Sequence, residues 1–343
     1  MRTDKMMLRH PDNPIVRPGG LEWRRAAVYN PGVWQEEDGT VYMLERAAKS
    51  LRPHITVFGL LKSSDGVSFT HVVDKPVFTA QEIGFPVGSV EDPRLVKIDA
   101  TYYLNFAIQP NSYVAFPNGW GIPTGFRLDI PGVCFAGERK ENKTRSGLAV
   151  SKNLIDWKYL GETCAVGDDD RDQVLFPRKI GGYYYLLRRP GLWVGPQYGC
   201  DRPCMWITRS KDLKIWEPAH LFMQPEYEWE SHKIGGSVPP VELDEGWLVL
   251  YHGVSCPEPD CPVYRVGAVL LDKSDPSKIL GRTRHPILEP EHYYEKVGLI
   301  IPNTVFPCGN IIRDKKLWVY YGCCDTCISL ATIEIDRLLS LLS

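Results

Sequence analysis

Long apolar runs are missing from this chain. No stretch approaches the ~18 apolar residues that a membrane-spanning helix needs, and the first twenty residues are charged and proline-rich, without the apolar core of an export signal. A cytoplasmic protein with no membrane partner is therefore expected. Net charge is nearly absent too: the formal balance is −2 over 343 residues, with lysine and arginine dispersed, so no basic face calls for nucleic acid or an anionic membrane. Metal-type clustering is equally scarce. Cys324 and Cys327 stand at redox or zinc spacing, but no matching pair or histidine cluster accompanies them, and Cys200 with Cys204 and Cys256 with Cys261 are also isolated pairs. Reduced, structural thiols and no metal site are expected. Helical periodicity is confined to the tail, where Ile335, Leu338, Leu339 and Leu342 form one apolar stripe between Glu334 and Leu342.

What the chain does have is repetition. At 43% hydrophobic residues it can fill a large core. Five segments combine a proline-bearing strand, a turn with Gly or Asp, and an aromatic strand. Their cores lie near residues 29–47, 90–107, 175–189, 238–253 and 305–322, and their prolines are Pro31, Pro93, Pro177, Pro240 and Pro307. Between them recurs an outer hairpin: a β-rich run, a serine, a polar turn and an aromatic residue, as from Leu60, Leu148 and Trp206. Five sheets of about four strands arranged radially make an all-β, five-bladed β-propeller with a short C-terminal helix, here expected as a single domain over 1–343. The longest step between repeats contains an insertion, 109–143, rich in Gly, Pro and aromatics. A loop of that length suits a lid, a wall of the sugar-acceptor site or a contact within a homo-oligomer.

In a propeller the innermost strands converge on a central channel, so equivalent repeat positions face one another. Before the repeated prolines stand Asn30, Asp92, Phe176, Pro239 and Phe306, of which only Asp92 is an acid. Pro93 pushes Asp92 toward an extended conformation and fixes its direction, which suits a catalytic acid and equally a strand start. On the aromatic strands stand Arg46, Phe106, Arg188, His252 and Tyr321, with Lys179 two residues past Pro177. Cations without partners in a narrow channel would require an anion from outside, such as phosphate; rim acids such as Glu45, Asp172 or Glu242 could instead pair with them.

The motifs V-E-D-P-R followed by Y-Y-L, L-F-P-R-K-I-G-G-Y-Y, W-E-S-H-K-I-G-G-S-V-P-P with Y-H-G-V, and D-P-S-K-I-L with P-I-L-E-P resemble glycoside hydrolase family 130 from about Tyr29 to Thr332. The resemblance implies a five-bladed propeller acting on β-mannosides, most members being phosphorylases. It implies that Asp92 is the sole catalytic acid and that Arg46, Arg145, Lys179 and His252 bind phosphate. It further implies that Asn30, Lys233, Tyr264 and Asp325 bind the mannose or its acceptor. Two departures add positive charge: Arg178 where the family commonly has Glu, and Leu187-Arg188-Arg189 where His-Arg is usual.

An inverting hydrolase needs two carboxylates, one as acid and one as base for water. A phosphorylase needs only the acid, because phosphate is the nucleophile. One positioned acid among cations therefore favours inverting phosphorolysis of a β-mannosyl oligosaccharide by inorganic phosphate, with no other cofactor. The resemblance implies proton delivery through a sugar hydroxyl and release of α-mannose 1-phosphate. The alternatives are a β-mannosidase of the same fold and a non-catalytic glycan-binding propeller. As an acid near neutrality, Asp92 would need desolvation and the neighbouring Glu91 to favour its protonated form, with Arg94 turned away.

Overall fold

The computed structural model describes residues 6–51, 53–111, 143–165, 168–258 and 261–342. Most of the insertion, with Tyr113 to Phe135, lies outside them.

Alternating strand patterns pair locally into five antiparallel sheets, each a blade. From the inside outward, blade 1 is Ala27–Gln35, Val41–Leu51, His54–Ser63 and Thr70–His71. Blade 2 is Ser89–Ile98, Thr101–Gln109, Arg145–Ser151 and Trp157–Glu162. Blade 3 is Asp170–Leu175, Tyr184–Pro190, Met205–Ser210 and His220–Met223. In blade 4 the inner strand is broken into Lys233–Gly236 and Val241–Glu242, and both pieces pair with Trp247–Glu258, followed by Cys261–Leu271 and Ile279–Arg282. Blade 5 is Val305–Arg313, Lys316–Cys323 and Cys327–Glu334, and its outer strand is the N-terminal Leu8–Arg9. The short helix Ile335–Leu339 follows.

The outer hairpins share one turn chemistry. In blade 1 the Asp65 carboxylate accepts from Ser63 and from the backbone N–H groups of Val67 and Ser68. Asn153 in blade 2 and Asp212 in blade 3 do the same for Ile155 and Ile215. Such side chains replace the backbone partners that a tight turn removes.

The core is sandwiched between neighbouring blades. Leu44, Phe58, Leu104 and Phe106 pack between blades 1 and 2, and Val174, Phe176, Trp247 and Tyr251 between blades 3 and 4. The nine described cysteines are free thiols. Cys200 and Cys204 pack against Trp206, and Cys323 and Cys327 belong to the apolar layer between blades 4 and 5.

Candidate active site

The inner strands of blades 1, 2 and 3 each carry a bulge that interrupts their pairing, between Tyr29 and Gly32, Glu91 and Arg94, and Arg171 and Val174. The first bulged residue in each is polar and left-handed: Asn30 (φ 46°), Asp92 (φ 53°) and Asp172 (φ 55°), so Asp92 is not extended as expected from Pro93, because the bulge overrides that local preference. Non-glycine residues seldom adopt this conformation, and Asn and Asp tolerate it best. A bulge re-aims a side chain out of the strict strand alternation. Here it turns three polar groups toward the channel. Asp325 (φ 51°) joins them from the turn between Cys323 and Cys327 in blade 5.

Asp92 is anchored through one oxygen. Asn30 Nδ2 donates to Oδ1 at 2.7 Å and Arg46 Nη1 donates to the same atom at 2.9 Å. Among the described residues Oδ2 accepts no hydrogen bond. Arg46 is itself fixed: Nη2 donates to Glu91 Oε1 at 2.6 Å, Nε reaches Thr56 Oγ1 at 3.3 Å, and its guanidinium lies 4.5 Å from the centre of the Tyr29 ring. Arg94 turns away from the Asp92 carboxylate. It donates to the backbone carbonyls of Asp92 and Ser237 and to Asp172 Oδ1, tying blades 2, 3 and 4 together.

Asp172 is fully engaged. Arg189 Nε and Nη2 donate to Oδ2 at 2.8 and 2.6 Å, and Arg94 holds Oδ1. Burial alone would raise its pKa, but Arg189, with His252 and Arg94, holds it well below the usual carboxylate range. His252 is 1% exposed, with Nε2 3.5 Å from Asp172 Oδ2 and Nδ1 3.3 Å from Ser237 Oγ. Burial lowers its pKa despite the pull of Asp172, so the imidazole is neutral at neutral pH. Gly235 permits this packing, since a Cβ there would collide with both Asp172 Oδ2 and the His252 ring. Phe306 lies beside His252 with ring centres 4.7 Å apart, and Tyr264 completes the cluster at 6.0 Å from each. Lys233 Nζ sits 5.3 Å from the Tyr264 ring. Burial raises the Asp325 pKa to about 7, opposed by Arg46 and assisted by Asp92 and Glu91.

The structure thus brings together Asn30, Arg46, Asp92, Lys233, His252, Tyr264 and Asp325. Arg145 lies at the same end of blade 2 but on its third strand, half-exposed, where it donates to Glu162 at 2.7 Å. Lys179 is not brought to this cluster. It is exposed beyond the far end of the blade 3 inner strand, donates to the Lys211 carbonyl and lies over the Tyr184 ring. It lies four residues past Leu175, where the inner strand ends, beyond the bend at Pro177 and Arg178. Arg178 is at the same remote hairpin, paired with Glu242 at 2.6 Å, and contributes no charge to the channel. The channel cations are also not left unmatched. Arg46, Arg94 and Arg189 are bound to carboxylates of this chain, and Arg188 is held by Asp170.

Asp172 pairs with channel cations, the alternative the sequence left open, but its place in the bulge and its partners Arg94 and Arg189 are not marked by the repeated prolines, because the proline of the third repeat, Pro177, lies past the bulge. The true counterpart of Asp92-Pro93 is Asp172-Gln173, four residues before Phe176-Pro177. The signal available was the bulge sequence itself: Tyr29-Asn30, Glu91-Asp92 and Arg171-Asp172 each place Asn or Asp just ahead of the apolar run that ends the strand.

The family model described as "beta-1,4-mannooligosaccharide phosphorylase" matches residues 8–116 and 133–343. The chain is 37% identical, over 94% of its length and 96% of the relative's, to a "1,2-beta-oligomannan phosphorylase" of Thermoanaerobacter sp. (strain X514). A "Beta-1,2-mannobiose phosphorylase" of the same organism is 33% identical over 95% of this chain and 96% of its own. Among solved structures, the β-1,2-mannobiose phosphorylase from Listeria innocua, in complex with β-1,2-mannobiose, superposes with a TM-score of 0.75 at 25% identity, covering 98% of this chain and 99% of that one. With a match along almost the whole sequence and the same propeller, this chain belongs to glycoside hydrolase family 130.

Proposed function

We propose that this protein is an inverting β-mannoside phosphorylase that transfers a terminal mannosyl unit from a β-mannosyl oligosaccharide to inorganic phosphate. It is an enzyme of the glycoside phosphorylase class. The products would be α-mannose 1-phosphate and the shortened acceptor. The two full-length relatives favour a β-1,2 linkage over the β-1,4 linkage in the family description.

The observation that carries this reading is the state of the channel carboxylates. Asp92 keeps one oxygen unengaged, whereas both Asp172 oxygens are taken by arginines and Glu91 is bound to Arg46. Inverting hydrolysis needs a second carboxylate to deprotonate water. Asp172, so engaged, is ill suited to that role, and Asp325, whose burial keeps its proton up to about 7, is assigned here to the mannosyl unit, while phosphorolysis needs only the acid. In this mechanism Asp92 Oδ2 carries the proton, given to the leaving oxygen through a sugar hydroxyl. Asn30 and Arg46 hold the other oxygen and fix the direction of transfer. Asn30, Lys233, Tyr264 and Asp325 surround the mannosyl unit. Arg46, Arg189 and His252 are the phosphate ligands that the geometry favours. Arg145 at the mouth would act only after leaving Glu162, and Lys179 is too remote to contribute.

The test is incubation of β-1,2-, β-1,3- and β-1,4-mannobiose with and without phosphate, with mannose and mannose 1-phosphate quantified separately. Saturable phosphate dependence and release of mannose 1-phosphate from the β-1,2 substrate are expected. Free mannose at a rate indifferent to phosphate would replace this reading with a β-mannosidase.

A further inference from the structure

Away from the channel, a cleft of about 780 Å³ opens on blade 4, within the size range of small-molecule sites. Its lining includes Tyr227, Trp229, Ser255, Arg265, Arg284 and Glu289. It lies toward the channel mouth: Ser231, also in its lining, is two residues before Lys233, and Ser255 follows Val254, the strand partner of Lys233.

The Trp229 indole is held in one orientation. It stacks on Tyr251 with ring centres 5.7 Å apart, and its N–H donates to the Arg284 carbonyl at 3.0 Å. Gly253 and Gly267 make room for it, since a Cβ at either position would collide with the ring. Charges in the cleft answer one another: Arg265 donates to Glu289 at 3.1 Å and to Ser255 at 2.9 Å, and Arg9 pairs with Glu291 at 3.2 Å. A flat aromatic surface beside hydroxyl, guanidinium and carboxylate groups of balanced charge suits a neutral, hydroxyl-rich ligand. Phosphate or a cation would meet groups of its own sign at once.

We propose that this cleft is a second carbohydrate site, which holds sugar units of a β-mannosyl chain remote from the bond that is broken. The identity of the sugar rests on the phosphorylase reading; the existence of the site does not. Contacts there add affinity for long chains and none for a disaccharide confined to the channel.

The experiment compares Arg284→Ala and Trp229→Ala with wild type, using a β-mannobiose and a long β-mannooligosaccharide as substrates. Each variant is expected to raise KM for the long chain roughly threefold to tenfold, the loss of one good contact, with kcat and the disaccharide KM unchanged. An equal change for both substrates, or none for either, overturns the proposal. Arg284 is exposed and its side chain makes no hydrogen bond among the described residues, so Arg284→Ala decides the matter if Trp229→Ala fails to fold. Retardation on a gel containing the long chain is measured in parallel. If wild type does not turn over the disaccharide with phosphate, the phosphorylase reading fails by itself, and loss of retardation in Arg284→Ala still decides whether the cleft binds sugar.

Discussion

Asp92 and Asp325 are carboxyl groups of one channel whose surroundings give them different tasks. Asn30 and Arg46 grip Asp92 by one oxygen, so Asp92→Asn should keep the side chain in place while removing the only proton it could transfer. Turnover is expected to fall at least ~100-fold, the usual scale of general acid catalysis, with the thermal transition within a few degrees of wild type. Appreciable residual phosphorolysis would show that another group supplies the proton. Asp325 is governed by burial. An unfolded aspartate loses its proton near 3.9, whereas folded Asp325 holds it to about 7. Between those values the folded chain binds more protons than the unfolded one, so this group costs stability as pH rises, up to about 1.4 kcal/mol per pH unit. Asp325→Asn should therefore raise the melting temperature more at pH 8 than at pH 5. A shift of equal size at both pH values would contradict this origin.

Among the strands, the bulges decide which side chains meet. Their geometry depends on glycines opposite them: a Cβ at Gly322 would overlap Asn30 Oδ1. Gly322→Ala is expected to displace Asn30 and loosen its grip on Asp92, lowering kcat several-fold or more while the blades still form. Unchanged kcat with a normal crystal position for Asn30 would count against this dependence. The same feature explains what could be read from the chain and what could not. Strand, hairpin and turn signals marked all five blades, because alternation and Ser/Asp turns are local. Asp92 was found because acid and proline stand together in its bulge. Asp172 was legible only as a rim acid able to pair with cations, because its bulge carries Gln173 and a decoy proline follows at Pro177, past the end of the inner strand. Lys179, two residues past that proline and implied as a phosphate ligand by the family resemblance, lies beyond the far end of the inner strand.

Closure of the ring joins the two ends of the chain. Leu8–Arg9 is the outer strand of blade 5, and Arg9 Nε donates at 2.8 Å to Glu295, whose side chain is fully buried and also accepts from Tyr321. Removing one partner of a buried ion pair typically costs ~3–5 kcal/mol. Arg9→Ala should lower stability by about that amount in chemical denaturation. A loss below 1 kcal/mol, on the scale of an exposed pair, would show that this closure contributes little. No local pattern announces that a two-residue strand at the N-terminus will pair with Thr332 and Ala331. Periodicity, turn chemistry and the order of the motifs were enough to establish an all-β propeller of family 130 type and to single out Asp92 as its candidate acid, because each is written in residues a few positions apart. Tertiary structure decided which arginines face Asp92 and Asp172, that these cations are already matched, and where the chain closes. Those outcomes depend on blades meeting across a channel, where partners distant in sequence compete for the same donors and acceptors.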